Sequence, residues 1–423
     1  MPGRIIESYQ QVPVTKENLD WAELVTLDLS LFDQPGGKQE LVNQLEHAVR
    51  NVGFFYVKNF NISEEEVNRQ FALGREFYGL PLEEKLKYHN AKDLESGEYN
   101  GYRPAGHRIL GNGIRDNVQV YNIPKFDGFH KRQQPPVLED HIEEIEAFSR
   151  KCHDEVVVKL LRLFAILLEL PDEDQLVRDH QYDVKGEDHL RYMHYAARGA
   201  EENKKVGDLY SPGHTDLGTV TLLFRQPVAA LQILNSEGQW KWVKPQDGTI
   251  TINTCDALTA LTGGLIKSSI HRVHAPPQDQ AHIDRLGVLY FARYVPPHVF
   301  FSLPFRSPEG GREKKKKEKK RVNSSSEVAQ LTNNYFNPSH TTTRPNNHVV
   351  LDPIANSPLL QRLGLTSNAF TEIGQHLTTE QWVKVRQTQQ QRPRASAKIE
   401  GSKYTYEKKD LEILPGLLAT VHN

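Results

Sequence analysis

Residues 211–224 read SPGHTDLGTVTLLF, with a histidine and an aspartate two residues apart at the mouth of an apolar, β-branched run. In a strand, residues i and i+2 point to the same face. His214 and Asp216 then stand side by side, roughly 7 Å apart at Cα. An imidazole and a carboxylate held that way can grip one metal ion. The same pair at a strand end can equally face solvent, so the tripeptide alone decides nothing. The chain carries an internal control: His282 and Asp284 repeat the spacing after the polar connection APPQDQA, where they should face water.

A third ligand is the deciding feature. Two histidines and one carboxylate cover one face of a metal and leave other positions open, the pattern of non-haem iron(II) sites. The second histidine must come from another strand. SSIHRVHAPP supplies His271, 55 residues after Asp216, which is enough chain for three or four strands and a return to the same end of a barrel. His274, three residues on, should face the opposite side. Arg285 opens the next apolar run, and Gly287, Leu289 and Phe291 should share its face. If that face points inward, a buried arginine needs a carboxylate partner. Asp284 is adjacent and faces the other way, so no acidic residue is obviously assigned to it.

Several elements must position these residues. LVTLDLSLF alternates like a strand, KQELVNQLEHAVRNV has helical spacing, GFFYVKNF reads as a strand, and SEEEVNRQFALGREFYGLP reads as a capped helix that stops at Pro81. Residues 137–170 keep apolar positions at 3.6 spacing, which predicts one long helix. From 188 to 296, short alternating runs separated by turn residues predict eight strands: HLRYMHYAA, GTVTLLFR, AALQIL, QWKWVK, GTITINT, DALTALT, SSIHRVHA and RLGVLYFARYV. Such spacing suits a sandwich or a double-sheet jelly roll. The organisation expected is an α/β N-terminal region over 1–135, the long helix and a linker over 136–186, a β core over 187–300, a basic low-complexity loop insertion over 301–350 and a helical tail over 351–423. The run EGGREKKKKEKKRVNSSSE reads as a solvated loop. A helix is expected within 370–391.

Composition bounds the function. The chain has 423 residues, 38% hydrophobic and 25% charged, with a net charge of −2. That suits a folded protein with no global field toward nucleic acid or a membrane. Two cysteines, Cys152 and Cys255, make no disulfide framework. The longest apolar run, LLRLFAILLEL, carries Arg162 and Glu169 and is short for a membrane span. The expectation is a cytoplasmic protein with a small-molecule partner, no nucleic acid and no membrane, its oligomeric state open.

Taken together, H-T-D at 214–216, K-S-S-I-H-R-V at 267–273 and R-L-G at 285–287, with an aromatic strand behind, resemble the isopenicillin N synthase-like family of Fe(II)/2-oxoglutarate-dependent oxygenases. LDLS, VGFFYVKNFNIS, FYGLPLEEKLKY and GYRPAG resemble that family's N-terminal region in order and spacing, and the WVKVR helix of the tail resembles fungal members. The resemblance covers roughly residues 24–300. It implies a distorted double-stranded β-helix with a long supporting helix. It also implies Fe(II), 2-oxoglutarate and O₂, with His214, Asp216 and His271 as iron ligands and the catalytic set. Arg285 matches the arginine that pairs with the distal carboxylate of 2-oxoglutarate, a task that suits a bidentate guanidinium, and Tyr195 matches a tyrosine that hydrogen-bonds the cosubstrate. Candidate substrate contacts are Tyr102, Arg103, Gln119, Tyr121, Phe224 and Phe291. The substrate implied is a small organic molecule of secondary metabolism, oxidised by hydroxylation, desaturation or cyclisation.

Three departures stand out. Gly287 replaces the family's serine and should leave room for 2-oxoglutarate or a water, Ala196 replaces a proline after Tyr195, and APPQDQAHID lengthens the connection before Arg285. Two other readings stay open at the level of sequence: an Fe(II) oxidase of the same fold that does without 2-oxoglutarate, and a non-catalytic binding or regulatory protein on this scaffold. Electron counting separates the first. Reducing O₂ fully takes four electrons, and oxidising a C–H bond supplies two. Decarboxylating 2-oxoglutarate to succinate and CO₂ supplies the rest.

Overall fold

The computed structural model describes residues 6–89, 100–130, 132–293 and 357–363, and the backbone of short strands between 398 and 422. β1 (Thr26–Asp28) leads into α1 (Gly37–Asn51), which buries Leu41, Val42, Leu45, Ala48 and Val49 at three- and four-residue intervals. β2 (Phe54–Lys58) follows. α2 (Glu64–Tyr78) starts from a capping box in which the Ser63 hydroxyl accepts from the Glu66 N–H and the Glu66 carboxylate accepts from the Ser63 N–H. Then come β3 (Gly101–Arg103), the small pair β4 (Ile109–Gly111) and β5 (Ile114–Arg115), and β6 (Val118–Pro124).

The long helix runs from Ile142 to Leu167, with one wider-wound turn at Cys152–Val157; Pro136–Glu139 forms a separate helical turn ahead of it. The core strands are β7 (His189–Tyr195), β8 (Leu209–His214), β9 (Val220–Phe224), β10 (Leu231–Leu234), β11 (Trp240–Trp242), β12 (Thr249–Thr254), β13 (His271–His274) and β14 (Arg285–Ala292). They form an eight-stranded sheet, β1-β2-β12-β9-β14-β7-β6-β3, and a four-stranded sheet, β11-β10-β13-β8.

Alternation along the strands decides what lies where. Val118, Val120 and Tyr195 of the large sheet pack on Tyr210, Val273 and Ala275 of the small-sheet side, and Phe54 and Tyr56 pack on Leu231, Ile233 and Val243. The two sheets therefore face each other as a double-stranded β-helix. The other face of the large sheet presents Tyr121, Tyr192, Leu222, Phe224 and Tyr290 to the helices, in one core with Phe71, Phe77, Phe148, Leu160 and Phe164.

Three expectations change. DALTALT is not a strand but a helix, Asp256–Leu261, because its apolar residues Ala257, Leu258 and Leu261 fall at helical spacing. His214 does not open a strand: it closes β8, and Asp216 lies in the connection to β9. The described part of the tail is not mainly helical, since it holds one turn, Pro358–Arg362, and two hairpins pairing 398–400 with 403–405 and 408–414 with 417–422. The basic run and the helix expected within 370–391 lie outside the described residues. No helix among the described residues is long and apolar enough to cross a membrane.

Candidate metal centre and its surroundings

The chain brings His214, Asp216 and His271 together between the two sheets, with one nitrogen or oxygen from each lying within 4.8 Å of the others. β8 and β13 pair with His214 opposite His271, and their ring centres are 4.3 Å apart. The connection carrying Asp216 is tied down by the end of β12: the Asp256 N–H donates to the Asp216 carbonyl and the Cys255 N–H to the Thr219 carbonyl. Gly218 makes this path possible, since a Cβ there would lie 2.4 Å from the Ala292 carbonyl oxygen.

The hydrogen bonds leave one donor atom free on each residue. A backbone carbonyl only accepts, so His214 Nδ1 donates to Pro212 (3.0 Å) and His271 Nδ1 donates to Ser269 (3.1 Å). Both Nε2 atoms are then bare, and both point to Asp216, 3.9 Å from Oδ1 and Oδ2 respectively. Thr221 (2.9 Å) and Asn253 (3.1 Å) both donate to Asp216 Oδ2, which leaves Oδ1 available. Such outer partners set the tautomer and orientation of ligands. Burial lowers the His214 pKa to about 3, and the neighbouring His271 adds to the effect, so the ring is neutral and able to ligate. Burial pushes the Asp216 carboxyl up, but His271, His214, Asn253 and Thr221 outweigh it and hold it well below the usual carboxylate range. The donor set fits a first-row divalent metal with imidazole and carboxylate preference. His282 and Asp284 are both exposed, and Asp284 instead holds the Ala197 N–H and His194.

Arg285 lies on the inward face, 4% exposed, directly opposite Tyr195. Its Nε donates to the Val228 carbonyl at 3.3 Å, and its guanidinium lies 5.7 Å from the Tyr195 ring centre. It makes no ion pair among the described residues. Burial lowers its pKa to about 10, so it stays charged at neutral pH. Gly287 does not leave empty room: the Gln226 side chain lies across it, donating to the Leu286 carbonyl, and a Cβ on Gly287 would be 2.6 Å from Gln226 Nε2.

The six proposed substrate contacts divide by face. Arg103 and Phe291 point between the sheets. Tyr102, Gln119, Tyr121 and Phe224 do not, because their registers turn them to the helices: Tyr102 pairs with Tyr121, and Phe224 packs on Phe148 (5.1 Å) and Phe60 (6.4 Å). Sequence reasoning missed Thr221 and Asn253, which hold Asp216. It also missed Arg191, although alternation within RYMHY places Arg191 on the face of Tyr195.

A double-stranded β-helix with two imidazoles and a carboxylate converging inside it is the frame of a non-haem iron(II) oxygenase. The comparisons with known proteins agree. A family model described as the N-terminal region of the non-haem dioxygenase in morphine synthesis matches residues 24–140, and one for the 2OG-Fe(II) oxygenase superfamily matches residues 187–298. UPF0676 protein C1494.01 of Schizosaccharomyces pombe is 30% identical over 260 residues, covering 60% of this chain and 78% of that protein. The 2-oxoglutarate-dependent dioxygenase frbA of a Dothideomycetidae species is 29% identical over 315 residues, covering 68% and 91%. A full-length Neurospora crassa protein crystallised in complex with alpha-KG superposes with a TM-score of 0.56 at 25% identity, over 68% of this chain and 91% of that one. The chain belongs to the isopenicillin N synthase-like family of Fe(II)/2-oxoglutarate-dependent oxygenases. It is an oxidoreductase of that family, whose reactions use Fe(II), 2-oxoglutarate and O₂. The oxidase and non-catalytic readings gain no support from these relatives.

Proposed function

We propose that His214, Asp216 and His271 hold the iron of this dioxygenase, and that Arg285 with Tyr195 receives the distal carboxylate of 2-oxoglutarate. The observation that carries the reading is the convergence of three bare donor atoms within 4.8 Å. Iron(II) with 2-oxoglutarate and O₂ supplies the oxidising power for an unactivated C–H bond. The chain supplies orientation. The Pro212 and Ser269 carbonyls aim the two imidazoles, Thr221 and Asn253 keep one oxygen of Asp216 turned outward, and the edge-on Phe54 ring, 5.4 Å from His271, keeps that side dry. Arg285, a buried cation with no ion-pair partner among the described residues, suits a ligand that brings its own carboxylate. The donors lie between two sheets, so the substrate must reach inside, which suits a small organic molecule such as a secondary metabolite.

Anaerobic titration tests the reading. Iron(II) added with 2-oxoglutarate should develop the weak visible charge-transfer band of the chelate. No band in wild-type protein, or an unchanged band in Asp216→Ala, sinks the assignment.

A further inference from the structure

The inward face of the large sheet carries a second cation that neither the metal nor the cosubstrate explains. Arg191 lies on β7, opposite Leu289 of β14 and Asn122 of β6. Its Nε donates to Asn122 Oδ1 (2.8 Å) and its Nη2 to His189 Nε2 (3.3 Å). The guanidinium lies 4.3 Å from the Phe291 ring centre, and the His189 ring stacks on the same phenyl at 4.6 Å. His189 Nδ1 donates to the Glu187 carbonyl, which fixes Nε2 as the acceptor.

Each of these partners is neutral, and Arg191 makes no ion pair among the described residues. Burial, with Arg103 nearby, lowers its pKa to about 10, so it remains a cation at neutral pH. A guanidinium has five N–H donors, and two are used here. A half-buried cation held in place by neutral groups is suited to a ligand that brings the counter-charge.

Its position separates it from Arg285. Arg285 faces Tyr195, four residues further along β7, roughly 13 Å away on an extended strand. Arg191 instead lies on Phe291, which pairs with Thr221 of β9, the residue whose hydroxyl donates to Asp216. Arg103 approaches from β3 on the same face, but it pairs with Asp116 at 3.8 Å, whose carboxylate also accepts from the Gly106 and Arg108 N–H groups.

We propose that Arg191 anchors a carboxylate on the organic substrate, with Asn122, His189 and Phe291 fixing the angle of its guanidinium. This rests on the metal and cosubstrate reading above. A planar guanidinium takes a carboxylate through two parallel hydrogen bonds. That would tether one end of the substrate and leave its carbon skeleton beside Asp216.

The test uses the full chain with iron(II) and excess 2-oxoglutarate, without O₂, and reads thermal stabilisation by matched acids and primary amides: benzoate and benzamide, phenylacetate and phenylacetamide, hexanoate and hexanamide. At least one acid should act at a concentration tenfold below its amide. Arg191→Gln should erase that preference while the chelate band stays unchanged. If that variant does not fold, Arg191→Lys, which keeps the charge but not the paired geometry, should weaken the acid at least threefold relative to its amide. The proposal is overturned by no acid preference in any pair, by a preference that survives these changes, or by one lost in Arg285→Gln instead. Inorganic phosphate that outcompetes every acid in an Arg191-dependent way overturns the carboxylate assignment. Absence of the chelate band in wild type is a separate failure, that of the metal reading, and the acid–amide comparison on the metal-free chain still decides Arg191.

Discussion

On β7, Tyr192 and His194 point to the helices, while Arg191, Met193 and Tyr195 point between the sheets. The outward set is typical of its face. Tyr192 donates to Gln70 of α2 (2.8 Å), Tyr78 donates to the Tyr192 carbonyl (2.7 Å), and Phe77 packs on Tyr121 with ring centres 4.3 Å apart. The inward set carries Arg191 and Tyr195, with His189 on the same face and Arg285 of β14 directly opposite Tyr195. One alternating sequence thus puts cohesion on one face and charge on the other. Changes on the covered face should cost stability with ligand binding intact, and changes on the inner face should do the reverse.

The sharpest break is Asp216→Ala. Turnover should fall to background, while the melting temperature stays within a few degrees. A large thermal loss would mean that the loop also carries the fold. On the covered face, Phe148→Ala should cost about 3–5 kcal/mol, the usual range for a buried aromatic, as measured by denaturant unfolding. The chelate band per folded molecule should not change.

His180 joins the two regions: it is buried, its Nδ1 donates to the Leu176 carbonyl and its Nε2 meets the Thr219 hydroxyl below the metal loop (2.7 Å). Burial lowers its pKa to about 4, against an ordinary 6.5. Its contribution is therefore complete above pH 6.5 and is lost as pH falls through 4, about 3 kcal/mol at 1.36 kcal/mol per unit. Asp179, raised to about 6 by burial, acts in the opposite sense over part of that window. The difference between wild type and His180→Gln across pH 7 to 4 isolates the histidine, and equal slopes would refute it.

Arg285→Gln should raise the 2-oxoglutarate requirement at least tenfold, consistent with about 1.5–3 kcal/mol for a charged hydrogen bond, and leave iron affinity almost unchanged. The smallest effect belongs to Tyr102→Phe. It removes the bond from the Tyr102 hydroxyl to Gln119 (2.6 Å) on the covered face and should cost about 1 kcal/mol of stability. A change in substrate KM would return Tyr102 to the pocket.

The convergence of His214, Asp216 and His271 was legible because metal chemistry restricts residue types, and His271 could be reached by counting strands. The buried, inward place of Arg285 was legible from the alternation of Arg285, Gly287, Leu289 and Phe291 along one run. The faces of Tyr102, Gln119, Tyr121 and Phe224 were not. A strand's period is readable locally, but which of its faces looks inward depends on pairing partners far along the chain, as when Tyr102 meets Tyr121. β3 to β5 are hard to read because they are two or three residues long and lie among glycines and charges, whereas β6, VQVYNIP, alternates plainly enough to be legible. The helix at Asp256–Leu261 reads poorly because six residues, DALTAL, are too few to fix a period, although Ala257, Leu258 and Leu261 already stand at helical spacing.

Gln226 limits what can stand at position 287. Its amide fills the space where a serine side chain would stand and is bonded to the Leu286 carbonyl. A serine introduced there meets an occupied volume and must displace the glutamine. Shortening Gln226 alone opens a void that glycine cannot fill. The two positions are therefore coupled through packing: what fits at 287 depends on where the Gln226 amide lies, and a double-mutant cycle between them should return a non-zero interaction term.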